Sequence, residues 1–265
     1  MNHQIESRTI FLIIMFGSLL IFIQTYHYPL LGVWGIFAIL SYVKFGKTVK
    51  SFIITNLLFG IGFSMYLYVI TRGLANIESP ELHLFLNRLS LGLIIIPFLL
   101  ISVLNKAPLM KLWNRPMWNE FIHFPFIWSG FHKAKIKFFL PIALIINVVV
   151  MMPFMVSMGW LYIQEIWILA VIFAVTNATF EELIWRGVLL TRFSEHIGEK
   201  GAVLVTSLGF GLQHYSLGFS WLVCIGFAVG GLFYGGITVK SRSILPAWIW
   251  HIVLNFLMVF SGVIL

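Results

Sequence analysis

The stretch FFLPIALIINVVVMMPFMVSM, Phe138–Met158, carries no charged side chain. At about 1.5 Å rise per residue, a helix of this length spans the roughly 30 Å hydrocarbon core of a bilayer. In water such a helix would have no polar face. In lipid it needs none, because it satisfies its own backbone groups and tolerates Pro141 and Pro153. Working outward, comparable runs cover roughly Thr9–Tyr26, Pro29–Val43, Ser51–Ile70, Leu89–Leu104, Ile166–Leu190, Ala202–Leu217, Trp221–Val239 and Ile244–Ile264. A transmembrane barrel would alternate polar and apolar positions over about ten residues, whereas these runs are continuous. Composition agrees, with 60% hydrophobic and 10% charged residues against about 45–50% and 25% in soluble domains. The expected fold is an all-α polytopic membrane protein of about nine transmembrane helices. No signal-peptide cleavage pattern is visible, and Thr9–Tyr26 reads as a retained helix.

The charges give an orientation. If the helices alternate, one side carries Arg8, Lys44, Lys47, Lys50, Lys106, Lys111, Arg115, Lys133, Lys135, Lys137, Arg192, Lys200, Lys240 and Arg242. The other carries only Arg72 and Arg88. By the positive-inside rule the amino terminus is expected in the cytoplasm and the carboxyl terminus outside. The net charge of +8 is explained the same way, and no nucleic-acid-binding motif is present. The longest loop, Asn105–Lys137, holds Trp113, Trp118 and Trp128 beside its lysines. It suits an interfacial anchor on anionic lipid, with a gate over a substrate entrance as the alternative. Residues 1–137 are then amino-terminal helices plus this loop, and residues 138–265 a helical core within the same membrane domain. Cys224 is the single cysteine, so no intrachain disulfide is possible.

An ionisable side chain near the bilayer centre costs roughly 2.5–3.5 kcal/mol and marks a functional site by default. Five qualify: Glu181, Glu182, Arg186, His214 and His251. Glu182 and Arg186 are four apart and can share a helix face, as can Phe210 with His214 and His251 with Asn255. Glu181 is about 100° around the helix from Glu182 and is expected to point toward a neighbouring helix. From the cytoplasmic ends of their segments, Glu181 lies about 13 Å deep, His214 about 18 Å, His251 about 11 Å and Asn255 about 16 Å. Three helices thus bring polar groups to a similar level.

These residue types admit a definite set of reactions. A carboxylate beside an imidazole can hold and deprotonate water. A second imidazole with an amide can donate hydrogen bonds to a developing oxyanion. Glu and His could equally ligate zinc, although no His-Glu-x-x-His helix is present. With no Asp in the chain, a Ser-His-Asp triad is excluded. Gly230-Gly231 and Gly235-Gly236 suit close helix packing, not a nucleotide loop.

Phe180-Glu181-Glu182-Leu183-Ile184-Trp185-Arg186-Gly187 resembles the Glu-Glu-x-x-x-Arg motif of the CAAX protease and bacteriocin-processing family of intramembrane proteases, also called the Abi family. Phe210-Gly211-Leu212-Gln213-His214 is similar to its Phe-x-x-x-His motif. Ser243-Ile244-Leu245-Pro246 followed by His251-Ile252-Val253-Leu254-Asn255 is similar to its His-x-x-x-Asn motif. The resemblance covers roughly Trp160–Ile264. It implies that Glu181 and His214 activate water, that His251 and Asn255 form the oxyanion site, and that Glu182 and Arg186 support Glu181, with Phe210 completing the second motif. Members of the family have been described both as metalloproteases and as metal-independent glutamate proteases. The metal-independent form is expected here, with no cofactor required; a zinc-dependent form would use Glu181, His214 and His251.

The expected activity is endopeptidase cleavage of a membrane-associated peptide or protein, in a multi-pass protein of a bacterial plasma membrane. The alternative implied by the same resemblance is a bacteriocin self-immunity or signalling-partner protein that acts by binding. A proton-coupled carrier would need an inverted repeat, and none stands out. Substrate identity and oligomeric state are not encoded legibly.

Overall fold

The computed structural model describes residues 2–264, with side chains from Ile10 onward, so the side chains of His3 and Arg8 lie outside the described residues. The apolar runs are helical. In chain order the elements are α1 (Asn2–Gln24), α2 (Tyr28–Lys44), α3 (Lys47–Tyr68), α4 (Pro80–Leu89), α5 (Gly92–Leu104), β1 (Phe121–Pro125), β2 (Gly130–Lys135), α6 (Ile136–Glu182), α7 (Leu190–Gln213), α8 (Trp221–Ser241) and α9 (Leu245–Phe260). Non-helical Gly159 (φ 82°, ψ 163°) divides α6 into two helical halves, and Gly198 (φ 73°, ψ 168°) divides α7 in the same way. Both are left-handed conformations open to glycine. Each break falls between two of the expected segments.

Among the described residues, four helical stretches are long and apolar enough to cross a membrane: Lys47–Gly73, Pro80–Leu104, Ile136–Leu217 and Trp221–Ser241. Ile10–Gln24, Tyr28–Lys44 and Leu245–Phe260 are shorter apolar helices. On the first half of α6, Ile142, Ile145, Ile146, Val149 and Val150 are exposed. A contiguous apolar surface of this kind requires lipid or a partner. The chain is a helical, multi-pass membrane protein.

Two elements depart from the expected pattern. The stretch before the fourth segment is helical as α4: Ser79 Oγ accepts from Leu82 N–H at 3.3 Å, Pro80 opens the helix, and Arg88 lies in its last turn. Side-chain capping, a preset proline φ and a cation at the carboxyl end all favour a short helix here. The loop Asn105–Lys137 also carries an antiparallel hairpin of β1 and β2, pairing Phe121 with Lys135 and Phe124 with His132. Lys133 Nζ lies 4.5 Å from the Phe121 ring centre, a cation–π contact across the ribbon.

The helices gather into two compact units. The first comprises Met1–Tyr68, Gly92–Lys111 and Ile184–Gly235. Its core is aromatic: the Phe16 ring centre lies 5.1 Å from those of both Phe59 and Phe193, and Phe59 lies 5.6 Å from Trp185. In this unit α8 approaches α7 closely. A Cβ on Gly231 would stand 3.0 Å from Ser207 Cα, and one on Gly235 would stand 3.1 Å from Val203 Cγ1. The expected packing role thus falls to these two glycines, while Gly230 faces open space. The second unit comprises Val69–Leu91, Leu112–Leu183 and Gly236–Leu265. In it α6 packs along α9 and against α4.

Candidate active site

Glu181 and Glu182 close α6, and the backbone then widens into a π-helical turn over Leu183–Leu189. Such turns cluster at functional sites because they re-aim side chains without ending the helix. In the second unit both carboxylates are fully buried and meet the imidazole of His251, which projects from α9. His251 Nδ1 donates to Glu182 Oε1 at 2.8 Å, and His251 Nε2 lies 3.4 Å from Glu181 Oε2. The two glutamates therefore converge on opposite nitrogens of one ring, although they diverge around their own helix. The Glu182 bond sets the ring orientation, as a carboxylate on Nδ1 commonly does for catalytic and ligating histidines.

Glu181 has a second contact. Asn177, one turn earlier on α6, donates from Nδ2 to Glu181 Oε2 at 3.0 Å. Asn177 Oδ1 in turn accepts from Arg88 Nη1 of α4 at 3.0 Å. Oε1 of Glu181 accepts no hydrogen bond among the described residues. Asn255 lies one turn beyond His251 on α9, 3% exposed, and its Nδ2 donates to none. The second unit thus presents a buried acceptor and a buried donor, both unengaged, around an imidazole fixed by a carboxylate. Neither Arg88 nor Asn177 was among the residues the sequence singled out. Arg88 stands just outside the apolar run Leu89–Leu104, and Asn177 is an uncharged amide within Ile166–Leu190. The available signal was the four-residue step from Asn177 to Glu181, which places them on one face.

The first unit holds the remaining motif residues. His214 follows α7 in a 3-10 turn that ends at Gly218 in the left-handed conformation (φ 91°). Its Nδ1 is 2.7 Å from the Phe210 carbonyl oxygen, so Nδ1–H donates to the backbone and the second ring nitrogen serves as acceptor in the neutral ring. The ring stacks on Phe227 at 3.7 Å and meets Phe210 edge-on at 4.9 Å. Phe210 thus supplies both the carbonyl that holds Nδ1–H and an aromatic wall. Arg186 is buried in the same unit, its guanidinium 4.5 Å above the Phe210 ring and 5.1 Å from Tyr234. Its Nη2 donates to the Gly231 carbonyl at 3.4 Å.

Within the second unit, a pocket of about 490 Å³ adjoins the end of α6 and the start of α9. Thr179, Leu183, Leu245 and Trp248 form its helical wall, and Trp113, Asn114, Arg115 and Pro116 of the long loop cover it. The wall is fixed by a hydrogen bond from Trp248 Nε1 to Thr179 Oγ1 at 3.0 Å. The loop is tied down by Met117 N–H on the Ser241 carbonyl (2.8 Å) and Ile244 N–H on the Leu112 carbonyl (3.0 Å). A volume of this size lies in the ordinary range for a bound small molecule or peptide segment, about 300–1,000 Å³.

Among the described residues no group of three or more His, Cys or acidic side chains is arranged to hold an ion. Both nitrogens of His251 face carboxylate oxygens, Nδ1 at 2.8 Å from Glu182 Oε1 and Nε2 at 3.4 Å from Glu181 Oε2.

Comparison with curated proteins and with solved structures yields no match. Residues 163–257, which contain all three motifs, match the family model described as Type II CAAX prenyl endopeptidase Rce1-like, in agreement with the resemblance to the CAAX protease and bacteriocin-processing family.

Proposed function

We propose that this protein is an intramembrane endopeptidase that hydrolyses a peptide bond of a membrane-associated substrate with water activated by Glu181. The observation that carries this reading is the buried Glu181–His251–Glu182 cluster on two packed helices of the matched segment, with Glu181 Oε1 unengaged. Oε1 accepts a proton from water as the water oxygen bonds to the scissile carbonyl carbon. The carbonyl oxygen becomes an oxyanion, for which Asn255 Nδ2 and the His251 ring form the site. Collapse of this intermediate breaks the carbon–nitrogen bond while Glu181 returns the proton to the leaving amine. Glu182 keeps the His251 ring in register. His214 enters as the partner of Glu181 through its motif, and Arg186 and Phe210 as its support.

The substrate chain occupies the pocket beneath Trp113 and Arg115, so the long loop both anchors the protein and covers the entrance. The protein crosses the membrane about nine times, with the amino terminus in the cytoplasm of a bacterial cell. The test is cleavage of a peptide library, farnesylated CAAX peptides included, by purified protein in proteoliposomes, with and without a chelator. Cleavage that survives the chelator and vanishes in a folded Glu181→Ala variant is the expected outcome. A Glu181→Ala protein that cleaves at the wild-type rate refutes the role of Glu181. If cells keep a self-immunity phenotype with both Glu181→Ala and His214→Ala, the protein acts by binding.

A further inference from the structure

We infer that Asn177 and Arg88 form a positioning relay for the Glu181 carboxylate, an inference that rests on the endopeptidase reading above. Arg88 is 8% exposed, Asn177 4% and Glu181 is fully buried. A cation in such a place ordinarily sits directly on a carboxylate. Arg88 does not: its partners are Asn177 Oδ1 at 3.0 Å and the face of Phe173 at 5.4 Å. Among the described residues, the one negative group its hydrogen-bond chain reaches is Glu181, through the amide. The chain also dictates which way the amide faces. A guanidinium only donates and a carboxylate only accepts, so Oδ1 must face Arg88 and Nδ2 must face Glu181.

The interposed amide has a chemical consequence. A guanidinium in direct contact tends to grip both carboxylate oxygens in a bidentate fork. That would occupy the oxygen needed as base. Asn177 delivers a polarised donor to Oε2 alone and leaves Oε1 unengaged. The carboxylate is thereby fixed in orientation without losing its reactive oxygen. The relay also couples the active carboxylate to α4, an element outside the segment matched by the family model.

The test compares Asn177→Leu, Arg88→Met and Arg88→Lys with wild type in proteoliposomes, using the library peptide cleaved fastest by the wild type. A misplacement of about 1 Å can cost about 100-fold in rate. The expected result is a fall of that order in kcat for Asn177→Leu and Arg88→Met, with KM within about twofold of wild type. Arg88→Lys recovers most of the loss, and the double variant Arg88→Met/Asn177→Leu is no worse than Asn177→Leu. Arg72→Met, which changes an arginine outside the relay, serves as the control with unchanged kcat.

A second readout needs no substrate. The infrared difference between wild type and Glu181→Gln isolates the Glu181 carboxylate stretch. The same difference on the Asn177→Leu background shifts that band if Asn177 donates to it. Should Asn177→Leu not fold, the contrast between Arg88→Met and Arg88→Lys decides. An unmoved band, or unchanged kcat in Asn177→Leu and Arg88→Met while Glu181→Gln is inactive, overturns the relay. A Glu181→Gln variant that still cleaves overturns the hydrolytic reading instead, and the relay with it as a catalytic device; the infrared band then reports on the contact alone.

Discussion

Replacing Asn255 with leucine separates stability from activity, because the two respond with opposite sign. Asn255 is 3% exposed and its Nδ2 has no acceptor among the described residues. A buried polar group left unpaired costs about 1–3 kcal/mol. Leucine is close in size and carries no such group, so Asn255→Leu is expected to leave the folded protein as stable as wild type or up to about 1–3 kcal/mol more stable. The reaction loses an oxyanion donor, which costs about 100- to 1,000-fold in kcat, or about 2.7–4 kcal/mol of transition-state stabilisation. Thermal unfolding in detergent measures the first quantity and steady-state cleavage in proteoliposomes the second. A variant that is clearly destabilised yet retains wild-type kcat would refute the reasoning, since Asn255 would then be a packing residue with a satisfied amide.

Other substitutions probe the neighbouring contacts. Glu182→Leu removes the acceptor of a buried imidazole N–H and should destabilise the protein by about 1–3 kcal/mol, while Glu182→Gln, which keeps an acceptor, should cost clearly less; equal melting temperatures for the two would show that the His251 contact is not what Glu182 supplies. Gly231→Leu would drive a side chain into Ser207 and should cost about 1–3 kcal/mol, whereas Gly230→Ala, which meets nothing within 4 Å, should be neutral or stabilising by about 0.5–1 kcal/mol. Trp113→Ala opens the covered pocket and is expected to raise KM several-fold with little change in kcat, as measured by substrate titration.

The apolar runs were legible because lipid imposes one strong rule: an uncharged stretch long enough to cross must fold as a helix. All nine fall on helices, and the breaks at Gly159 and Gly198 lie where the sequence separates neighbouring runs. The residues of the polar site were legible for a related reason, since a charge in such a run needs a purpose. Helix α4 and the hairpin were missed because their signals are local and modest: a serine cap before proline, and alternation within a loop already read as basic. What no sequence pattern could supply was the pairing. Spacing gave Glu181 and Glu182 divergent directions and set Glu182 with Arg186, but only packing of α6 on α9 places His251 between the two carboxylates. Likewise Arg88 and Asn177 are distant in the chain, and their contact exists because α4 lies against α6. Sequence alone determined the apolar helices and the inventory of ionisable groups within them, since both follow from the cost of moving single side chains out of water. Which group meets which was decided by tertiary structure, because hydrogen bonds between helices depend on rotation and register that periodicity leaves undetermined.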